Sequence, residues 1–107
     1  MRLTVKTRQT RPGVITVTLL GRLDGQTHDL LDQGIGRILD EPVKTLVLDM
    51  QGVDFITSAG IGTIMKARTS LARKGADLAL MNLQPQVRKV FEIIRVLPTL
   101  GVFQDER

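Results

Sequence analysis

The stretch Leu46–Ala67, LVLDMQGVDFITSAGIGTIMKA, limits the possible folds more than any other part of the chain. It opens on the apolar run Leu46-Val47-Leu48, which reads as a buried strand. Asp49, Gln51, Gly52 and Asp54 supply turn chemistry, and Phe55 and Ile56 return the chain to the core. Thr57-Ser58-Ala59-Gly60-Ile61-Gly62 then leads into an amphipathic helical pattern. Strand, short loop and helix start thus fall within about 20 residues, the repeating unit of an α/β domain. The hydroxyls of Thr57 and Ser58 stand where that helix begins. Backbone N–H groups are unpaired there, and the local field favours negative charge.

The flanking segments fit the same class. Leu3 to Arg8 alternates between apolar and polar residues, as a half-exposed strand does. Arg11-Pro12-Gly13 signals a turn, and Val14 to Leu20 is rich in β-branched residues, so a hairpin opens the chain. Gly21 to Gly25 breaks the second strand. A helix starts near Gln26 or Thr27, carries Leu31, Ile35, Ile38 and Leu39 at helical spacing, and stops at Asp40-Glu41-Pro42. Gly34 and Gly36 weaken it by about 1 kcal/mol each and leave room for close approach to the sheet.

After the central strand, a helix is expected over 58–73, with Ile61, Ile64, Met65 and Leu71 buried and Gly75 just past its end. Asp77 to Leu83 reads as a strand apolar on both faces. Gln84-Pro85 opens a third helix, with Val87, Val90, Phe91 and Ile94 on one face. Leu97-Pro98 ends it, Gly101-Val102-Phe103 forms a short last strand, and Gln104 to Arg107 is a polar tail. The expected order is ββαβαβαβ, a mixed sheet with parallel central strands in one domain over 1–107.

Composition closes off several function classes. With 107 residues, no cysteine and one histidine, the chain has neither a thiolate metal site nor a cluster of imidazole ligands. His28, at the expected start of the first helix, reads as a surface or capping group. A Ser-His-acid triad would need His28 and Ser58, and Ser58 lacks the G-x-S-x-G frame. Gly60-x-Gly62 is not continued by a third glycine, since position 65 is Met65. Gly62-Thr63-Ile64 lacks the lysine of a phosphate-binding loop. No catalytic residue, metal or cofactor is therefore assigned. The net charge is +4, but the basic residues are scattered and the only aromatics are three Phe, so a nucleic-acid interface is not expected. No apolar run approaches the roughly 20 residues of a membrane span, and a cytoplasmic location is expected.

Ser58 is left as the candidate. As an N-cap it would contribute about 1 kcal/mol over Ala. As a phosphorylation target it would gain close to two negative charges and three acceptor oxygens. A helix start tolerates that charge, whereas a partner packed on the same surface does not. Gly60 and Gly62 would leave the backbone around the hydroxyl bare.

The segment Leu46 to Gly62 resembles the signature of STAS domains, specifically the bacterial anti-sigma factor antagonists: an apolar strand ending in Asp, a loop, an apolar pair, Asp-Ser-Ser-Gly-Leu-Gly and a helix. Leu20-Gly21-Arg22-Leu23-Asp24 resembles the family's Gly-x-(Leu/Ile)-Asp segment, and Val87 to Phe91 its third helix. The resemblance implies a non-enzymatic STAS module. Its unphosphorylated form binds an anti-sigma factor of the serine-kinase type and releases the sigma factor. Phosphorylation at Ser58 switches it off and a phosphatase restores it. It further implies a partner surface of Asp24, Thr57, Ser58, Ala59, Gly60, Ile61 and Gly62. Thr57 stands where the family has Asp, and Ala59 where it has a second Ser. Thr57 is thus a possible secondary acceptor, and the alternative is a constitutive STAS scaffold in a signalling or lipid-transport complex.

Overall fold

A computed structural model describes residues 3–94 and the backbone of 101–103. The opening alternation forms β1 (Thr4–Arg11) and β2 (Val14–Leu23), paired antiparallel. Gly13 joins them at φ +80°, a left-handed conformation that glycine adopts without steric cost. Then follow α1 (His28–Ile38), β3 (Thr45–Ile56), α2 (Ser58–Arg73), β4 (Asp77–Met81), α3 (Pro85–Ile94) and β5 (Gly101–Phe103). The sheet runs β1-β2-β3-β4-β5. Every pairing after the hairpin is parallel. The architecture is the expected α/β fold with a mixed sheet and parallel central strands. The expected stop at Leu97-Pro98 and the tail 104–107 lie outside the described residues.

One face of the sheet carries the core. Ile15, Val17 and Leu19 of β2 stand beside Leu46, Leu48 and Met50 of β3, all almost fully buried. Leu31, Ile35 and Ile38 from α1, Ile61, Ile64 and Leu71 from α2, and Val87 and Phe91 from α3 join the same apolar cluster. Each such side chain contributes about 1.5–3 kcal/mol by leaving water. Met65 and Val90 are only partly buried at its margin. Ile94, expected on the buried face, is exposed. Ala79 and Met81 are buried outside that cluster, on alternate residues of β4 that point to the opposite face.

Two expected breaks do not occur. β2 continues through Gly21, at φ +120°, as far as Leu23. β3 does not turn at Asp49 to Asp54 but runs on to Ile56. Thr18 pairs with Asp49, yet Leu20 pairs with Gly52; Gly21 pairs with Val53, yet Arg22 pairs with Phe55. β3 therefore holds two extra residues, one in each irregularity, opposite an unbroken β2. These are β-bulges. They change the spacing of core-facing residues in β3 from two to three, so Met50, Val53 and Ile56 are all buried. The polar residues between them look like a loop in sequence but are the outward side of a bulged strand. Phe55 faces outward with them and is 41% exposed, not returned to the core.

β1 accompanies β2 only to the Thr4–Leu20 pair, and β4 accompanies β3 only to the Asp49–Met81 pair. Among the described residues, 21–23 and 52–56 thus extend as a two-stranded ribbon beyond the rest of the sheet. Gln84 and Gln86 donate side-chain hydrogen bonds to the Gln51 and Asp54 carbonyls and tie α3 to this ribbon. β4 ends at Met81, two residues short of the expected limit, where Asn82 takes φ +62° and donates to Asp49 Oδ1 at 3.3 Å. Gly75 follows α2 at φ +75°, as its place after the helix implies. Of the two glycines in α1, only Gly34 lies against the sheet, where a Cβ would come 3.3 Å from Val5 Cγ1; Gly36 faces open space.

Candidate functional site

The ribbon delivers the chain directly into α2. Thr57 N–H donates to Leu23 O at 3.0 Å, which pins the residue between β3 and α2 to the end of β2. The helix must then start against that strand. A Cβ on Gly60 would lie 2.7 Å from Leu23 Cγ and 2.8 Å from Leu23 O. Only glycine allows the first turn this close.

Thr57, not Ser58, occupies the N-cap position, with extended backbone and no side-chain capping bond. Its Oγ1 is buried and has no hydrogen-bond partner. An acceptor oxygen closed off in this way is unavailable to an approaching kinase in this conformation. Ser58 is the first helical residue and is exposed. The first turn of α2 carries no acidic side chain, so the helix itself supplies no negative charge at its positive end. The last turn carries Arg73, which complements the opposite end.

The other expected surface residues divide. Ala59 is half-buried and Gly62 is exposed, with nothing within 4 Å of a Cβ placed there. Gly60 and Ile61 are buried, so they position the turn from inside and present no surface to a partner. The bare backbone expected around the hydroxyl is therefore found at Gly62 and not at Gly60.

Asp24 lies in the loop after β2. Its Oδ1 accepts from Gln26 N at 2.9 Å and from Thr27 N at 3.2 Å, and its own N–H donates to Thr27 Oγ1. Thr27 Oγ1 in turn donates to Arg22 O at 2.7 Å. The carboxylate thus folds the loop into a closed turn, one residue after the Leu23 carbonyl that holds Thr57. These bonds, led by the Gln26 N–H, hold its pKa below the ordinary aspartate value, with Thr27 and the Arg22 charge adding to the effect against partial desolvation. Asp24 Oδ2 lies 3.8 Å from Arg22 Nε, and the Arg22 guanidinium covers the Phe55 ring at 4.1 Å.

A cleft of about 330 Å³ separates the starts of α1 and α2, lined by His28, Asp32, Ala59, Gly62, Thr63 and Lys66. Lys66 and Asp32 bridge it at 3.4 Å. Thr63 donates to Ala59 O, and His28 Nδ1 meets Thr63 Oγ1 at 3.2 Å. His28 serves as a surface group linking two helices. No cluster of three or more metal-binding side chains occurs among the described residues. No helix among them is long and apolar enough to cross a membrane.

A family model described as the STAS domain matches residues 6–107. The chain belongs to the STAS domain family. The anti-sigma factor antagonists of this family are non-enzymatic regulators. The STAS chain is 30% identical over 81 residues to a protein of Bordetella bronchiseptica named putative anti-sigma factor antagonist BtrV, covering 76% of this chain and 70% of the relative. It is 26% identical over 98 residues to the anti-sigma F factor antagonist of Paenibacillus polymyxa, covering 88% and 81%. Its fold matches that of the phosphorylated form of the Bacillus cell fate determinant SpoIIAA with a TM-score of 0.74. That match has 20% identity and covers 97% of this chain and 92% of the other.

Leu20, Arg22 and Phe55 were not expected at the surface site from the sequence, which assigned Phe55 to the core. The signal was present in the spacing of Met50, Val53 and Ile56, which leaves Phe55 outward if all three face the core.

Proposed function

We propose that this STAS domain is a cytoplasmic anti-sigma factor antagonist, switched by phosphorylation at Ser58. The unphosphorylated form binds an anti-sigma factor of the serine-kinase type and so releases a sigma factor. Phosphorylation of Ser58 abolishes binding, and a phosphatase restores it. One observation carries this reading: Ser58 is exposed at the first position of a 16-residue helix whose first turn has no carboxylate. A phosphoryl group there meets unpaired N–H groups and a favourable dipole, so the fold survives the added charge. A partner seated on the same surface meets a desolvated dianion and is expelled. The names of the Bordetella and Paenibacillus relatives support the general role. In this reading Asp24, Ala59 and Gly62 complete the contact surface.

The test uses the purified anti-sigma factor kinase of the same organism with ATP and magnesium, read by intact mass. Wild type gains one phosphoryl group and Ser58→Ala gains none. Ser58→Asp stays folded but no longer binds the kinase. An unchanged wild-type mass, or equal modification of Ser58→Ala, overturns the switch. The second reading, a constitutive STAS scaffold, is favoured by Thr57, whose sealed hydroxyl stands directly before Ser58 where the antagonist signature has Asp. Under it, wild type and Ser58→Asp bind one partner equally.

A further inference from the structure

The ribbon has one face packed under α2 and α3 and one face open. On the open face, Leu20 and Arg22 stand two residues apart on the unbroken β2. Their partners in β3 are Gly52 and Phe55, brought to the same face by the second bulge. Leu20 and Phe55 are 44% and 41% exposed.

Each side chain lies against a neighbour on the ribbon. Leu20 lies down across Gly52: a Cβ at Gly52 would overlap Leu20 Cδ2 and sit 2.8 Å from Leu19 O. Phe55 lies under the Arg22 guanidinium, which is in turn steadied by Asp24. Two exposed apolar groups, one aromatic, thus each rest against a neighbour on the ribbon, which lowers the cost of ordering side chains on association. Phe55 and Arg22 belong to the residue types that dominate binding energy at interfaces. Ser58 follows Phe55 by three residues, and the bond from Thr57 N–H to Leu23 O holds the start of α2 at the end of this ribbon.

We propose that Leu20, Gly52, Phe55 and Arg22 form the apolar anchor by which the partner that reads Ser58 is held. This rests on the antagonist reading above and names the partner's chemistry: an apolar pocket for Phe55, with a carboxylate on its rim facing Arg22. Arg22 engages Asp24 through Nε at 3.8 Å and is itself 46% exposed, so its outer guanidinium edge is open to that carboxylate. The anchor supplies affinity that does not depend on phosphorylation. Ser58 supplies the switch at its border.

The experiment is titration calorimetry of the purified anti-sigma factor kinase into wild type, Phe55→Ala, Leu20→Ser, Arg22→Gln and, as a control on α3, Ile93→Ser. Far-UV circular dichroism confirms that each variant is folded. Phe55→Ala and Leu20→Ser each weaken binding at least tenfold, Arg22→Gln weakens it severalfold, and Ile93→Ser matches wild type. If wild type binds and the folded Phe55→Ala and Leu20→Ser variants bind within twofold of it, the anchor is overturned and the antagonist reading stands. If wild type itself does not bind, the antagonist reading falls and takes this inference with it. Sedimentation of the chain alone adds a third arm. Wild-type self-association that is lost in Phe55→Ala assigns the platform to a second copy and overturns the proposal.

Discussion

Gly60 and Gly62 lie two residues apart in the same helix, yet alanine at the two positions is expected to act with opposite sign. Replacing a helical glycine by alanine gains about 0.8–1.0 kcal/mol of propensity. At Gly62 nothing lies within 4 Å of the new Cβ, so the gain is realised nearly in full. At Gly60 the same gain is opposed by Leu23 Cγ at 2.7 Å and Leu23 O at 2.8 Å. The carbonyl accepts the Thr57 N–H and cannot swing away without breaking that bond. Overpacking of this kind costs about 1–3 kcal/mol, and the backbone obstacle places Gly60 toward the upper part of that range. The net loss for Gly60→Ala is then about 1–2 kcal/mol. For a domain of roughly 100 residues, 1 kcal/mol moves Tm by about 4–8 °C. The chain has no Trp or Tyr, so far-UV circular dichroism during urea and thermal unfolding is the suitable probe. Gly62→Ala should raise Tm by several degrees and Gly60→Ala should lower it by more. A Gly60→Ala variant as stable as wild type would refute the close packing of α2 on β2. It would also remove the reason for the placement of Ser58.

Thr57→Val should be neutral or stabilising by about 1 kcal/mol in urea unfolding, because it deletes a buried hydroxyl that caps nothing. A loss of about 1 kcal/mol or more would instead show that this oxygen caps α2. Asp24→Asn should lower stability at neutral pH, and the difference from wild type should vanish in acid. The carboxyl pKa is lowered in the folded state below the ordinary aspartate value of about 3.8, so its contribution is complete above that value. It is lost as pH falls through the lower, folded pKa; a gap between the two proteins that persists in strong acid would contradict this. Ser58→Asp should unfold within a few degrees of wild type, since the start of α2 accommodates negative charge; a large loss of Tm would mean the hydroxyl is needed for the fold.

The sequence alone determined the order of the elements, the limits of α2 at Ser58 and Arg73, the Gly13 turn and the glycine after α2. These follow from local signals: periodicity of 3.6 or 2, and residues that permit or forbid particular backbone angles. It also determined that a hydroxyl stands at the head of a helix that follows a central strand. Tertiary structure decided what happens between Asp49 and Ile56. Whether a strand residue faces the core depends on the register of its neighbour, and two bulges against an unbroken β2 reset that register in β3. Phe55 was thereby turned outward and Gly52 placed beneath Leu20. The same dependence separated Gly60 from Gly62, identical in sequence character, because only one of them meets Leu23. It also put the N-cap position on Thr57 and left Ser58 in the open, since the bond from Thr57 to Leu23 fixes where the strand ends and the helix starts.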